Sequence, residues 1–264
     1  ADHRAVALTE ANVAMASGTM IPSLVIGAFV GIGIGWRPGA VVPILIWLIA
    51  ATRFRGLEFP PANPAPAPGQ KRRLPRPYWF FWGGIVGAVG GEWSLGAWGA
   101  GYLVDIAGTA EGTASLLMTV YFGSIAGGRV VGSRLARTFS PPTLLASSAG
   151  VAVVGTILLW QSSTTIPIVT GLLVAGLGVS MLFPMLFTLA VETAPEQSDT
   201  VAARISIAAG GSVVVAPLSL GAFADATSLQ SAFTVVPFLF AAIVVLMLLG
   251  RRAAGRPTPQ ANQR

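Results

Sequence analysis

The stretch GAVGGEWSLGAWGAGYLVD, residues 87–105, places one carboxylate, Glu92, inside an otherwise apolar run. The run extends from Tyr78 to Val104, and a membrane-spanning helix needs only about 20 mostly apolar residues. If the segment crosses a membrane, Glu92 lies near the middle of the bilayer, where an ionised side chain costs at least ~3 kcal/mol. The stretch therefore predicts a membrane helix and makes Glu92 the residue whose presence needs a physical reason.

The composition of the whole chain favours a membrane protein. Of its 264 residues, 53% are hydrophobic and only 10% are charged, whereas soluble domains carry about 25% charged residues. The chain contains no Cys, which excludes disulfides and thiolate metal sites, and its single histidine, His3, argues against a His-based zinc site or a Ser-His-Asp triad. We therefore expect no cofactor and no metal site.

Eight apolar segments are candidates for membrane-spanning helices. The second segment is the weakest, because its apolar part is short and contains Pro43. The eight predicted spans are 12–35, 39–54, 79–104, 113–133, 142–161, 165–190, 201–223 and 230–249.

The basic residues support this count independently. With eight spans, both termini and the even-numbered joints lie on one side of the membrane. That side carries fifteen of the sixteen Lys and Arg residues, and only Arg37 falls on the other. The positive-inside rule makes the basic side cytoplasmic, so we expect a multi-pass protein of the cell (inner) membrane with both ends of this chain in the cytoplasm. This sorting of charge has no place in a nucleic-acid-binding protein, and we expect the basic loops to face lipid headgroups.

A proline-rich segment divides the chain into unequal parts. Residues 53–78 contain seven prolines and a basic cluster, which is typical of a semi-extended linker. The predicted parts are two helices in residues 1–54, a cytoplasmic linker in 55–77, a six-helix bundle in 78–250 and a cytoplasmic tail in 251–264.

Three joints between predicted spans carry a resemblance to a known family. The joint YFGSIAGGRVVGSRLARTFSPP, residues 121–142, has small residues at three- and four-residue spacing followed by arginines. It resembles the cytoplasmic loop signature of the Major Facilitator Superfamily, in the copy between helices eight and nine. AVETAPEQSDTVAAR, residues 190–204, is similar to that family's loop between helices ten and eleven, and GIGIGWRPG, residues 31–39, to its turn between helices five and six.

This resemblance covers about residues 4–250 and implies a fold. The eight spans correspond to the family's helices five to twelve, with the first four absent. The expected fold is therefore an all-α membrane protein of about eight transmembrane helices, comprising two helices of an incomplete N-terminal bundle and a six-helix C-terminal bundle. An eight-helix protein that is complete in itself is the alternative.

Glu92 admits two interpretations. It is either a structural acid held by a neighbouring Arg or Ser, or a proton-coupling or cation-binding carboxylate that faces a central cavity, as intramembrane acids usually do. Ser94, Trp98 and Tyr102 follow at four-residue spacing on one stripe of the same span. They are candidates for the substrate pathway or, alternatively, for packing.

Weaker candidates lie in spans six and seven and at the cytoplasmic joints. Met181 and Phe183, next to Pro184, suggest a bend with an apolar wall, and Ser206 and Ser212 lie where helices of the family face the cavity. A cytoplasmic gate is predicted from opposite charges on two joints of one side. Its residues are Arg129, Arg134, Glu192, Glu196 and Arg204. Arg129 and Arg134 are expected to pair with the glutamates or with the carbonyl ends of nearby helices.

The resemblance implies a secondary active transporter that moves a small solute by alternating access around a midplane site. Its partners would be the solute, protons coupled through Glu92, and the lipid bilayer, with no nucleic acid. A membrane-embedded enzyme using Glu92 as general acid or base and a non-transporting sensor or assembly protein are the rival classes. An enzyme is disfavoured because Glu92 is the only acid deep in a predicted span.

Overall fold

A computed structural model describes residue 21 and residues 24–56 and 73–255, and these residues form helices and no β-strand. Three predicted segments lie wholly or partly outside the described residues: the first part of span 12–35, most of the proline-rich linker and the end of the tail. Short 3₁₀ turns at Pro38–Ala40 and Pro195–Gln197 precede two of the helices. The helices are α1 (24–31), α2 (Val41–Phe54), α3 (Arg76–Ala107), α4 (Glu111–Leu135), α5 (Pro141–Trp160), α6 (Thr165–Val179), α7 (Leu182–Glu192), α8 (Ser198–Ala226), α9 (Leu229–Phe233) and α10 (Val235–Ala254).

Five helical segments of the described chain are long and apolar enough to cross a membrane. These segments are Glu111–Leu135, Pro141–Trp160, Thr165–Glu192, Pro195–Ala226 and Leu229–Ala254. The predicted all-α membrane fold is therefore confirmed. Two predicted spans differ from this set: α2 is apolar but has only 14 residues, and α3, although 32 residues long, has a hydropathy lowered by its many glycines and by Glu92.

Prolines break two of the predicted spans into pairs of helices. The predicted span 165–190 is interrupted at Ser180, where α6 has ended and α7 has not begun. A proline ring clashes with the carbonyl four residues earlier, and for Pro184 that residue is Ser180, so the predicted bend is confirmed. The same spacing relates Pro237 to Phe233, where α9 ends.

Glycines let the helices of this bundle approach one another closely. An added Cβ at Gly155 of α5 would collide with the backbone nitrogen of Ala175 on α6, and one at Gly171 would lie 2.6 Å from the backbone nitrogen of Leu159. Small residues at helix interfaces allow such backbone contact in membranes, where the hydrophobic effect does not drive helix association. The α5–α6 pair is therefore held by van der Waals packing of main chain against main chain.

Helix α3 occupies the centre of the bundle and sets the position of Glu92. It packs against α4, α6, α7, α8 and α10. Its glycines accept bulky side chains from two of these neighbours: a Cβ at Gly91 would lie 2.6 Å from Phe240 of α10, and one at Gly84 would lie 2.8 Å from Leu186 of α7. The helix ends at Gly108, whose φ of 62° is left-handed and whose N–H donates to the carbonyl of Val104 at 3.1 Å.

Candidate functional site

Glu92 lies near the middle of α3. Sixteen residues separate it from Arg76, where the helix begins, and fifteen from Ala107, where it ends; at 1.5 Å per residue these are distances of about 24 and 22 Å. A bilayer core is about 30 Å thick. If α3 crosses it, the carboxylate therefore lies close to mid-depth.

The carboxylate of Glu92 faces an arginine. Arg129 Nη2 on α4 lies 3.6 Å from Glu92 Oε1, and the two side chains retain 18% and 19% of their exposure, respectively. The ion pair is a single long contact rather than the two-pronged arrangement that arginine can form with a carboxylate. Arg129 Nε is buried and has no hydrogen-bond partner within the described part of the chain. The pair therefore has hydrogen-bonding capacity that its own contact leaves unused.

A second residue of α4 fixes the backbone at Glu92. The Tyr121 hydroxyl donates a hydrogen bond to the main-chain carbonyl of Glu92 at 2.9 Å, and the Tyr121 side chain is fully buried. Tyr121 and Arg129 are eight residues apart, which places them on the same face of α4. One helix thus holds both the main chain and the charge of Glu92.

In this structure Arg129 pairs with Glu92 and not with a residue of the predicted cytoplasmic gate. The sequence predicted that Arg129 pairs with Glu192, Glu196 or the carbonyl ends of helices across a cytoplasmic gate. Instead α4 continues for six residues beyond it, to Leu135, and its ion pair reaches inward to Glu92. Helices α3 and α4 run antiparallel, and their alignment brings these two positions to the same depth.

The stripe of Ser94, Trp98 and Tyr102 is used for packing between helices. Tyr102 has no exposed surface, and its hydroxyl donates to the carbonyl of Trp160, at the end of α5, at 3.1 Å. Trp98 Nε1 donates to the carbonyl of Pro217 in α8 at 2.8 Å. Ser94 is 2% exposed. The packing interpretation of this stripe is therefore the one that these contacts support.

The bend at Ser180 and Met181 packs directly against α4, next to Arg129. A Cβ at Gly128 would lie 2.8 Å from Ser180 Cβ, and one at Gly132 would collide with the sulfur of Met181. Phe183, also predicted for the pathway, is partly buried on the hydrophobic core. The bend and the ion pair are thus neighbours along one face of α4.

The two serines predicted in span seven differ in environment. Ser212 is 6% exposed and Ser206 is exposed, and each hydroxyl donates to the carbonyl four residues earlier in α8, at 2.8 and 2.9 Å. Neither serine contacts Glu92 through a hydrogen bond given by the structure. They remain predictions as pathway residues.

The other predicted gate residues lie at one end of the bundle. Arg134, Glu192, Glu196 and Arg204 are all exposed. Arg204 interacts with aromatic residues of α3, since its guanidinium carbon lies 5.8 Å from the centre of the Trp79 ring. The gate as a functional unit stays a prediction.

Sequence reasoning missed Tyr121 as a partner of Glu92. Tyr121 stands eight residues before Arg129 within the quoted joint, so its place on the same helical face was readable. Its role was not readable, because the contact depends on the α3–α4 packing. Among the residues described by the structure, no three His, Asp or Glu side chains come together in a way that could hold a metal ion.

Comparisons with known proteins agree with this architecture. The family model of the Major Facilitator Superfamily matches residues 80–264. The chain is 29% identical over 175 residues to an uncharacterized transporter from Sinorhizobium fredii, covering 66% of this chain and 46% of that protein. It is 31% identical over 173 residues to a glucose/galactose transporter from Brucella abortus, covering 64% of this chain and 41% of that protein. It thus spans less than half the length of these relatives.

Solved structures show the same fold. The chain superposes on the transporter FucP in its outward conformation with a TM-score of 0.65 and 17% identity, over 81% of this chain and 54% of that one. A bacterial homologue of the lysosomal transporter Spinster gives a TM-score of 0.51 at 14% identity, over 90% of this chain and 65% of that one. With its family model covering more than half of the sequence, the chain belongs to the Major Facilitator Superfamily of membrane transporters.

Proposed function

We propose that this chain is part of a secondary active transporter of the cytoplasmic membrane, which moves a small solute by alternating access and couples it to protons through Glu92. The observation that carries the proposal is the partly exposed Glu92–Arg129 pair at the middle of the central helix. Acids inside membrane helices usually face a water-filled path or one another. The rival membrane-embedded enzyme is set aside, because the family and the relatives are transporters.

The exposure of the pair supports proton exchange. Glu92 keeps 19% of its side-chain exposure in the described part of the chain, and proton exchange requires that this exposed part of the carboxylate meets water. Its single contact with Arg129 is 3.6 Å long. This contact stabilises the ionised form but is too weak to prevent protonation. When Glu92 takes up a proton, Arg129 loses its counter-charge and is free to interact with the solute or with water.

Coupling follows if the two conformations of the transporter differ in their preference for ionised Glu92. A ligand, here the proton, shifts a conformational equilibrium only by its differential affinity for the two states. Ionised Glu92 is paired with Arg129, whereas protonated Glu92 leaves the guanidinium without a counter-charge, and enclosing an unpaired charge between apolar helices is costly. Protonation therefore disfavours the arrangement that closes over the bare arginine.

A hexose is the first solute to test. The support is the name of one relative, a glucose/galactose transporter 31% identical to this chain over the matched region. The guanidinium of Arg129, whose side chain keeps 18% of its exposure, provides donors that a sugar hydroxyl could use.

The test uses the protein at its natural length in proteoliposomes. Glu92→Gln keeps the shape and removes the titrating group, and Glu111→Gln, at the exposed start of α4, is the matched control. Under an imposed pH gradient, we expect wild type and Glu111→Gln to accumulate radiolabelled galactose. We expect Glu92→Gln to lose accumulation and to retain exchange of solute across the membrane.

Two results would contradict the proposal. Accumulation at the wild-type level by Glu92→Gln would leave Glu92 as a structural acid. Failure of the wild type to move glucose, galactose or any solute in a panel would favour the non-transporting sensor or assembly protein instead.

A further inference from the structure

A cluster of aromatic and arginine side chains surrounds the start of α3, at the opposite end of this helix from Gly108. The rings of Tyr78 and Trp79 lie 5.1 Å apart and those of Trp79 and Trp82 lie 5.9 Å apart, both edge to face. Trp79 is 48% exposed. Trp82 is ten residues before Glu92, or about 15 Å along the helix, so this cluster is separate from the site described above.

Arg204 of α8 is held against this cluster by two contacts. Its guanidinium carbon lies 5.8 Å from the centre of the Trp79 ring, within the range of a cation–π interaction. Its main-chain carbonyl accepts a hydrogen bond from Trp82 Nε1 at 3.4 Å. The side chain is exposed, so a guanidinium plane is presented at the surface next to an indole ring.

Three further arginines lie at the same end of the bundle. Arg76 begins α3, one turn before Trp79. Arg251 and Arg252 directly follow Gly250 of α10, where an added Cβ would lie 2.9 Å from the ring of Phe81. All three arginine side chains are exposed. The ends of α3, α8 and α10 therefore bring four positive charges around an aromatic surface.

We infer that this cluster binds the phosphate of an anionic phospholipid headgroup. The arginine guanidinium is planar and donates in a fork that matches phosphate oxygens. Exposed Trp side chains favour the membrane–water interface. Beyond Arg204 along α8, Ile207 is 75% exposed and Leu218 is 67% exposed, which gives an apolar track for acyl chains that a free phosphate ion would not need.

The polar groups closest to the cluster are the Tyr78 hydroxyl and the acids at the start of α8. The Tyr78 hydroxyl is buried at the base of the cluster and has no hydrogen-bond partner in the described structure. Glu196 and Asp199, at the start of α8, are the nearest acids in sequence, and both have interactions of their own. With Glu192, which lies at the same end of the bundle, three acids face four arginines, so a small excess of positive charge remains.

The experiment measures lipid binding to the purified protein by native mass spectrometry. Phosphatidylglycerol and phosphatidylcholine with identical acyl chains are titrated into wild type, Arg204→Gln and the control Arg137→Gln, an exposed arginine on the α4–α5 joint. One arginine near an anionic lipid surface contributes about 1 kcal/mol, which is about fivefold in affinity. We expect Arg204→Gln to weaken phosphatidylglycerol binding about fivefold, with phosphatidylcholine binding unchanged and Arg137→Gln close to wild type.

Two additional measurements keep the outcome decisive. Arg204→Lys preserves the charge but not the planar stack, so its affinity for phosphatidylglycerol should lie between those of wild type and Arg204→Gln. If Arg204→Gln is too unstable to measure, Arg204→Lys takes its place in the comparison. Excess inorganic phosphate should fail to displace phosphatidylglycerol; full displacement would overturn the lipid assignment in favour of a free-anion site. Equal losses in Arg204→Gln and Arg137→Gln would overturn the site altogether, because general surface charge would then explain the binding.

Discussion

Removing either partner of the Glu92–Arg129 pair should destabilise the bundle, and removing both should cost clearly less than the sum of the two single losses. Breaking a fully buried pair costs about 3–5 kcal/mol, because one charge is left without a partner, whereas exposed pairs contribute about 0–1 kcal/mol. Glu92 and Arg129 lie between these cases, since each is about one-fifth exposed and their single contact is 3.6 Å long. We therefore expect Arg129→Gln and Glu92→Gln each to lower the free energy of unfolding by about 1–3 kcal/mol.

The double variant separates this interaction from the effects of the individual substitutions. Two glutamines can hydrogen-bond to each other and carry no charge, so the double variant should lose about as much as the milder single variant. The expected coupling energy equals the larger of the two single losses, about 1–3 kcal/mol, within the range found for contacting residues. The assay is reversible unfolding in mixed detergent micelles, followed by circular dichroism.

The control cycle combines Glu92→Gln with Arg134→Gln, which is exposed near the end of α4. These two changes should add within about 0.5 kcal/mol, as distant sites do. If Glu92→Gln and Arg129→Gln were also additive, the contact would contribute nothing to stability, and the reasoning from burial and distance would be refuted.

Two other predictions concern packing and topology. Gly155→Ala should clearly lower the melting temperature, because the added Cβ collides with the main chain of α6. Gly150→Ala on the same helix has nothing within 4 Å of the added Cβ, so it should leave the melting temperature unchanged or raise it slightly. Equal shifts for the two variants would contradict the close approach of α5 and α6. Reporter fusions after Gly69 and Gln263 should report the cytoplasmic side and a fusion after Gly108 the opposite side, and a periplasmic signal at Gly69 would rule out the eight-span topology.

Two helix breaks could be read from local sequence because each lies four residues before a proline. Pro184 acts on the carbonyl four residues before it, which agrees with the end of α6 near Ser180. The division of the last span at Phe233 has the same cause in Pro237, and the same reasoning would have predicted it. The rule is not general, because Pro217 lies inside α8 without ending it, so whether a proline breaks a membrane helix also depends on the neighbouring helices.

The roles of individual polar residues were harder to predict, because a helical stripe does not reveal what faces it. Tyr102 lay on a stripe that suggested a solute pathway, yet its hydroxyl caps the carbonyl of Trp160, 58 residues away. Trp98 likewise reaches Pro217 on another helix. Periodicity predicts a face; the packing of distant helices determines whether that face meets protein or a cavity.

The sequence by itself determined the class of this protein: a helical membrane protein whose family signatures and one deep acid could be read from composition, charge sorting and spacing. Those features act through local or averaged physics, namely the length of an apolar run, the cost of a charge in lipid and the clash of a proline ring. Only the tertiary structure decided that Arg129 is the counter-charge of Glu92 and that Tyr121 holds its backbone. These contacts depend on the relative depth of α3 and α4, which is set by glycine-lined packing across the whole bundle and is not encoded in either helix alone.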